Sequence, residues 1–221
     1  MSTLFIVATP IGNLEDITYR AVRILKSVDL IACEDTRLTK RLLDHYEIKT
    51  PTVSYHQHSH VGKIDFLISQ LKAGKSLALV SDAGTPGISD PGGLLVKAAV
   101  SEGIKIESVP GPSAVAAALS ISGLPSDRFL FLGFLPHKKG RETIIKEIIA
   151  AEQTIVFYES VHRILKTLEQ LAKFGLKKEI VVCRELTKKF ETVYRGCVEE
   201  VLEKLQQDEV KGEFVVIVTA R

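Results

Sequence analysis

Four carboxylates stand in two short segments with the composition of binding loops: Glu34 and Asp35 in CEDTR (33–37), and Asp82 and Asp90 in SDAGTPGISDPGG (81–93). A carboxylate at such a place can accept a hydroxyl proton or orient a ribose. It repels a polyphosphate but tolerates ammonium, sulfonium or ribose hydroxyl groups. The glycines and prolines around Asp82 and Asp90 add a second property, because a loop poor in side chains lets a ligand lie against main chain. Neither G-x-G-x-x-G nor G-x-x-x-x-G-K-[ST] occurs, so the ordinary dinucleotide and P-loop chemistries are not indicated. The residue types suit a cationic nucleoside, and S-adenosylmethionine carries all three tolerated groups. No metal site is expected: His56, His58 and His60 alternate along an extended segment, but no Cys or carboxylate accompanies them at ligand spacing.

Elements that could hold these loops are visible as apolar runs alternating with helical periodicity. LFIVA, LIAC, TVSY and LALV read as strands, separated by helices around 17–27, 37–46 and the segment carrying Ile64, Leu67, Ile68 and Leu71. That alternation predicts βαβ crossovers and a largely parallel sheet. In an open sheet of this kind ligands bind beyond the carboxyl ends of the strands, where TPIGN, CEDTR, the long loop and PGPSA (110–114) all fall. Gly74 and Gly103 sit where helix C-caps are expected, and Asp90-Pro91 reads as an N-cap followed by proline at the first helical position. Asp35 or Thr36 could likewise cap the helix carrying Leu38, Leu42 and Leu43, a role compatible with chemistry.

After SGLPSD (122–127) a second series begins: FLFLGF, a helix with Ile144, Ile145, Ile148 and Ile149, TIVFY, the helix VHRILKTLEQLAKFG, IVVC, ETVYRG, a short helix and EFVVIVT. The expected fold is therefore two α/β domains, 1–123 and 124–221. Strand alternation predicts Phe129 and Phe131 to be core residues. Of the 221 residues 45% are hydrophobic, enough for sizeable cores, and no run reaches the roughly 18 to 20 apolar residues of a membrane span. Three scattered cysteines suit a reducing compartment, and a cytoplasmic protein is expected. A net charge of +2 argues against a general grip on nucleic acid, so any RNA contact must be local.

VATPIGNLEDIT, ACEDTR, VSDAGTPGISDPG, VPGPSA, GFLP, FYESVHRI, RELTKKFET and KGEF occur in this order. Together they resemble the ribosomal RNA small subunit methyltransferase I family, a branch of the tetrapyrrole-methylase-like (class III) S-adenosylmethionine methyltransferases. The resemblance implies two α/β domains with the cofactor in a cleft between them, a homodimer, and 2'-O-methylation of a cytidine in the decoding region of 16S ribosomal RNA within the small subunit. Many members of that family continue past the KGEF strand with a small helical domain, whereas this sequence ends at Arg221. Recognition of the ribosomal substrate is the implied property most exposed to that difference.

Carried over by motif, the resemblance assigns cofactor contacts to Pro10, to Asp82, Gly84, Thr85, Pro86 and Ile88 of the long loop, and to Ser113 and Ala114. From the second domain it adds Tyr158, Leu186 and Gly212. Glu34, Asp35 and His58 are the candidate catalytic residues. Arg37, Asp90, Lys138, Arg163, Arg184 and Lys188, with Lys139 and Arg141 beside them, are the candidates for substrate contact, each arginine offering a bidentate fork to phosphate. A small tetrapyrrole substrate, or a non-catalytic role in ribosome assembly, are the alternatives.

Overall fold

The computed structural model describes residues 2–56, 61–208 and 210–220. The chain divides into two compact units, residues 1–113 and 114–221.

The first unit runs β1 (Thr3–Val7), α1 (Tyr19–Ser27), β2 (Leu30–Cys33), α2 (Thr36–His45), β3 (Thr52–Ser54), α3 (Val61–Lys72), β4 (Leu77–Leu79), α4 (Gly93–Ser101) and β5 (Lys105–Val109). Its sheet has the order β3-β2-β4-β1-β5, and every pairing is parallel. Both faces are covered, which is why the strands read as unbroken apolar runs. Leu25, Leu43, Ile31, Ala78 and Val80 fill one core, under α1 and α2. Leu67, Leu71, Leu77, Leu79 and Leu95 fill the other, under α3 and α4. Helices leading toward β3 thus lie on one face and those leading toward β5 on the opposite face, as right-handed crossovers require.

The second unit runs α5 (Ala114–Ser122), β6 (Phe129–Phe134), α6 (Arg141–Ala150), β7 (Thr154–Ser160), α7 (Ile164–Lys173), β8 (Ile180–Arg184), β9 (Thr192–Gly196), α8 (Val198–Gln207) and β10 (Glu213–Val218). Its sheet order is β6-β7-β10-β8-β9. Here only β6 and β7 are parallel; β10 runs antiparallel to β7 and β8, and β8 to β9. Helix α5 packs on β10, and the Arg195 guanidinium on β9 donates to the carbonyls of Ile121 (2.5 Å) and Ser122 (3.4 Å) at its end.

Because β6 is an edge strand, Phe129 is 44% exposed and Phe131 half-buried, and the expectation that both are core residues is corrected. Alternation marks which residues share a face, but a core also needs a layer to cover that face.

Glu159, 1% exposed, is the one buried carboxylate of the second unit's described residues. It is neutralised by Arg163 Nη2 at 2.9 Å and Arg141 Nη2 at 3.4 Å, and accepts from Thr167 Oγ1 at 2.7 Å. The same arginines reach out to the carbonyls of Pro136 (3.1 Å) and Leu135 (2.7 Å) and to Gln170 (2.9 Å). This network fastens the GFLP turn to β7 and α7. Removing its anion would leave two cations unpaired, so Glu159→Ala is expected to lower the unfolding free energy by about 3–5 kcal/mol, read from urea denaturation monitored by circular dichroism.

Candidate active site

The strand order locates a crevice in the first unit. From β2 the chain turns outward to β3, and from the neighbouring β4 it crosses the other way to β5, so loops leaving these adjacent strands diverge. Ligands in open α/β sheets bind at such a reversal. Glu34 and Asp35 follow β2; Asp82 follows β4 and accepts a 3.0 Å hydrogen bond from the Asp35 backbone N–H across the reversal.

Burial and the charge of Asp82 raise the Glu34 carboxyl above the usual range, against an opposing contribution from His56. Burial likewise pushes Asp90 up to about 6; a hydrogen bond from Ser81 opposes the shift, and Glu34 and Asp82 reinforce it. Glu34 and Asp90 are therefore held partly out of water within electrostatic reach of each other and of the exposed Asp82. Such a site favours a cation and rejects a phosphate chain.

Asp35 differs. It caps α2, accepting from Arg37 N at 2.8 Å, and the Arg37 guanidinium holds it in a fork at 3.1 and 2.7 Å. Those bonds hold its carboxyl down to about 2. A carboxylate held that acidic is poorly matched to accepting a proton near neutrality; the roles visible for Asp35 are those of cap to α2 and partner of Arg37. Asp90, by contrast, is not the cap expected of it. Helix α4 begins at Gly93 with Gly92 as N-cap, which leaves the Asp90 side chain on Ser81.

The long loop is held from beneath by Thr9. Its N–H and C=O exchange hydrogen bonds with Gly84 at 2.9 and 3.0 Å, and its hydroxyl donates to Ser81 O at 3.0 Å. Gly84 is buried at φ +82° with both backbone polar groups engaged, so it shapes the loop and does not offer them to a ligand. Thr85 to Ile88 form a turn with Pro86 second and Gly87 third at φ +84°, closed by Ile88 N to Thr85 O at 3.2 Å; this is the pattern of a type II turn. Thr85 Oγ1 donates to Pro112 O at 3.1 Å, tying the turn to PGPSA. Pro10 and Ser113 are half-buried and Ile88 is 47% exposed on the rim. Thr9 and Ser81 are the positioning residues missed in the sequence; the available signal was a small polar residue at the end of an apolar strand.

In the second unit Tyr158 lies within β7, its ring edge-on to Phe131 (4.9 Å) and Phe134 (5.4 Å). Leu186, 8% exposed, sits between two residues in the left-handed region, Glu185 (φ +52°) and Thr187 (φ +65°). Gly212 (φ +93°) lies against Glu185, where a Cβ would come within 2.4 Å of the carboxyl carbon. Ala114 begins α5 and is half-buried.

The candidate substrate cations sort sharply. Arg163 donates to Glu159, Ser160 and Leu135 O, so its fork is occupied. Arg141 is buried on the same carboxylate. Lys188 lies 2.8 Å from both Glu185 and Glu213. Arg163 and Arg141 thus serve as counter-ions of the buried Glu159, whose charge must be matched inside the fold, while Lys188 is shared between Glu185 and the exposed Glu213. Arg184 Nε donates to Lys211 O at 2.9 Å. Lys138 and Lys139 are exposed, and the Arg37 side chain is 88% exposed although paired with Asp35. His58 and His60 lie outside the described residues, and among those described no cluster suited to a metal occurs.

Residues 3–202 match the family of tetrapyrrole (corrin/porphyrin) methylases. The ribosomal RNA small subunit methyltransferase I of Xylella fastidiosa is 51% identical over 220 residues, covering 98% of this chain and 81% of that protein. Its namesake from Halalkalibacterium halodurans is 48% identical over 217 residues, 98% of this chain and 75% of that one. The one from Thermotoga maritima is 43% identical over 221 residues and matches along 100% of both. Among solved structures, a diphthine synthase superposes with a TM-score of 0.78 at 16% identity, covering 99% and 90% of the two chains. A uroporphyrin-III C-methyltransferase from Thermus thermophilus in complex with S-adenosyl homocysteine gives 0.67 at 20%, covering 99% and 97%.

The crowding of carboxyls has a signature in stability. Asp90, raised from 3.8 to about 6, holds its proton more tightly folded than unfolded, so its contribution is complete below pH 4 and lost as pH rises through 6. Asp90→Asn is therefore expected to match the parent in melting temperature near pH 4 and exceed it above pH 6. A differential-scanning series across that range checks this, and a difference independent of pH would contradict it.

Proposed function

The chain belongs to the ribosomal RNA small subunit methyltransferase I family, and on that premise we propose that it methylates the 2'-hydroxyl of a cytidine in 16S ribosomal RNA, with S-adenosylmethionine as donor. The observation that carries the reading is the anionic crevice at the reversal between β2 and β4, where Glu34, Asp82 and Asp90 crowd together, and among the described residues no arginine or lysine is paired with them and only His56 opposes their charge. Bound there, S-adenosylmethionine supplies a methyl group already activated by its positive sulfur. The protein's own part is to hold the ribose in line and receive its proton. Pro10, Ser113 and the 82–88 loop are the proposed cofactor contacts, with Tyr158, Leu186 and Gly212 proposed as further ones.

Glu34 is the proposed base. It is raised toward the pH at which proton acceptance is most effective, whereas Asp35 is held too acidic. Arg37, Lys138 and Arg184 are proposed contacts of the RNA. The protein is further proposed to be a cytoplasmic homodimer. Its support is the exposure of Phe129 and Phe134 along the edge strand β6, with Leu130 exposed on its other face, apolar surface of the kind that protein interfaces cover. No helix among the described residues is long and apolar enough to cross a membrane.

Two measurements test the reading. Calorimetry should register S-adenosylmethionine and no ATP; the reverse would overturn the pocket, and silence toward both would favour a non-catalytic assembly factor. In single-turnover transfer of labelled methyl to small ribosomal subunits, Glu34→Gln should cost ~10²–10⁴-fold in rate with cofactor affinity unchanged, and Asp35→Asn much less. Equal losses would return the base to Asp35, and labelling of a precorrin in place of the subunits would end the RNA assignment.

A further inference from the structure

The loop joining β8 to β9 carries Phe190, 64% exposed, in a setting unlike that of the other exposed aromatics of the second unit. Phe129 and Phe134 belong to an apolar row along one strand. Phe190 stands alone among charged neighbours, in the run TKKFET. Single exposed apolar residues are common, so exposure by itself decides nothing. What distinguishes this one is its support.

The loop is braced at every step. Lys188 N donates to Glu185 O at 3.0 Å, Glu191 N to Lys188 O at 3.1 Å, Thr187 N to Glu191 Oε2 at 2.5 Å, and Thr192 Oγ1 to Phe190 O at 3.3 Å. Glu185 and Thr187 are held at positive φ, a costly conformation for residues with side chains. Yet this fixed structure presents a large ring to water. Its charges are also asymmetric in use. Glu185 and Glu213 are both spent on Lys188, and Glu191 on the Thr187 amide. Among the described residues no carboxylate pairs with Lys189, whose ammonium lies 5.5 Å from the Phe190 ring centroid. An aromatic ring on a braced loop, with one face toward an ammonium that no carboxylate among the described residues neutralises, has the two elements that single-stranded nucleic acid needs, a stacking surface and a phosphate partner.

We propose that Phe190 and Lys189 form a nucleotide platform, on which one unpaired base of the RNA substrate stacks while Lys189 meets an adjoining phosphate. This rests on the RNA methyl-transfer reading above and adds residues to it. The platform reads no particular base, since every base has a π face; it holds a strand that has been opened.

Fluorescence anisotropy with a fluorescein-labelled, unstructured, cytidine-containing ribo-oligonucleotide tests it on the full chain. Phe190→Ala and Phe190→Leu are both expected to weaken binding about tenfold, and Phe190→Trp to restore it. Lys189→Ala should make the dependence of log affinity on log salt shallower by about 0.7, while Phe190→Ala leaves that slope unchanged. Undiminished binding by Phe190→Ala, full binding by Phe190→Leu, or no RNA binding by the parent at low salt would each overturn the platform. Calorimetry with S-adenosylmethionine, expected to be identical for all variants, keeps the two readings apart: a parent that binds RNA but neither cofactor nor methylates subunits sinks the function and not the platform.

Discussion

Three carboxyl groups confined where two neighbouring strands send their chains in opposite directions set the character of this molecule. The confinement is a consequence of strand order. With β4 inserted between β1 and β2, the exits of β2 and β4 become neighbours, although Glu34 and Asp82 are far apart in the chain. Burial then raises Glu34 and Asp90, and the charge of Asp82 adds to both. A compact site of negative charge with bare main chain around it is incompatible with pyrophosphate and well suited to a nucleoside bearing positive charge.

The loop that carries Asp82 and Asp90 looks unsupported in sequence but is well supported in space. Thr9 reaches across from the next strand, pairs with Gly84 and holds Ser81, and Thr85 is tied to the PGPSA turn. The glycines therefore serve two ends: Gly87 makes a turn that needs a positive φ, and Gly84 lets two strand exits pair closely. Main chain that is already ordered costs little further entropy when a ligand arrives.

The second unit solves a different problem with similar residues. Its sheet is mostly antiparallel, and the one buried carboxylate among its described residues, Glu159, is matched by two arginines that also hold the turn after β6. Positive charge that motif reading assigned to RNA is thereby consumed inside the fold. Among the lysines at the surface, Lys138, Lys139 and Lys189 stand beside the motifs and are exposed, the last of them over the Phe190 ring. A chain of small net charge can thus carry local basic points without a general affinity for nucleic acid.

Periodicity made the helices, the parallel first sheet and its strand-exit loops legible, because each depends on residues a few positions apart. Composition alone suggested a cationic nucleoside for the loop, and that suggestion enters the proposed function. Which strands became neighbours, that β6 lay at an edge with Phe129 uncovered, that Asp35 was clasped by Arg37 while Asp90 was freed from capping, and that Arg141, Arg163 and Lys188 were already paired were decided only by tertiary structure. Pairing and desolvation act through space over a few ångströms, and local sequence pattern carries no record of which distant residue will arrive within that range.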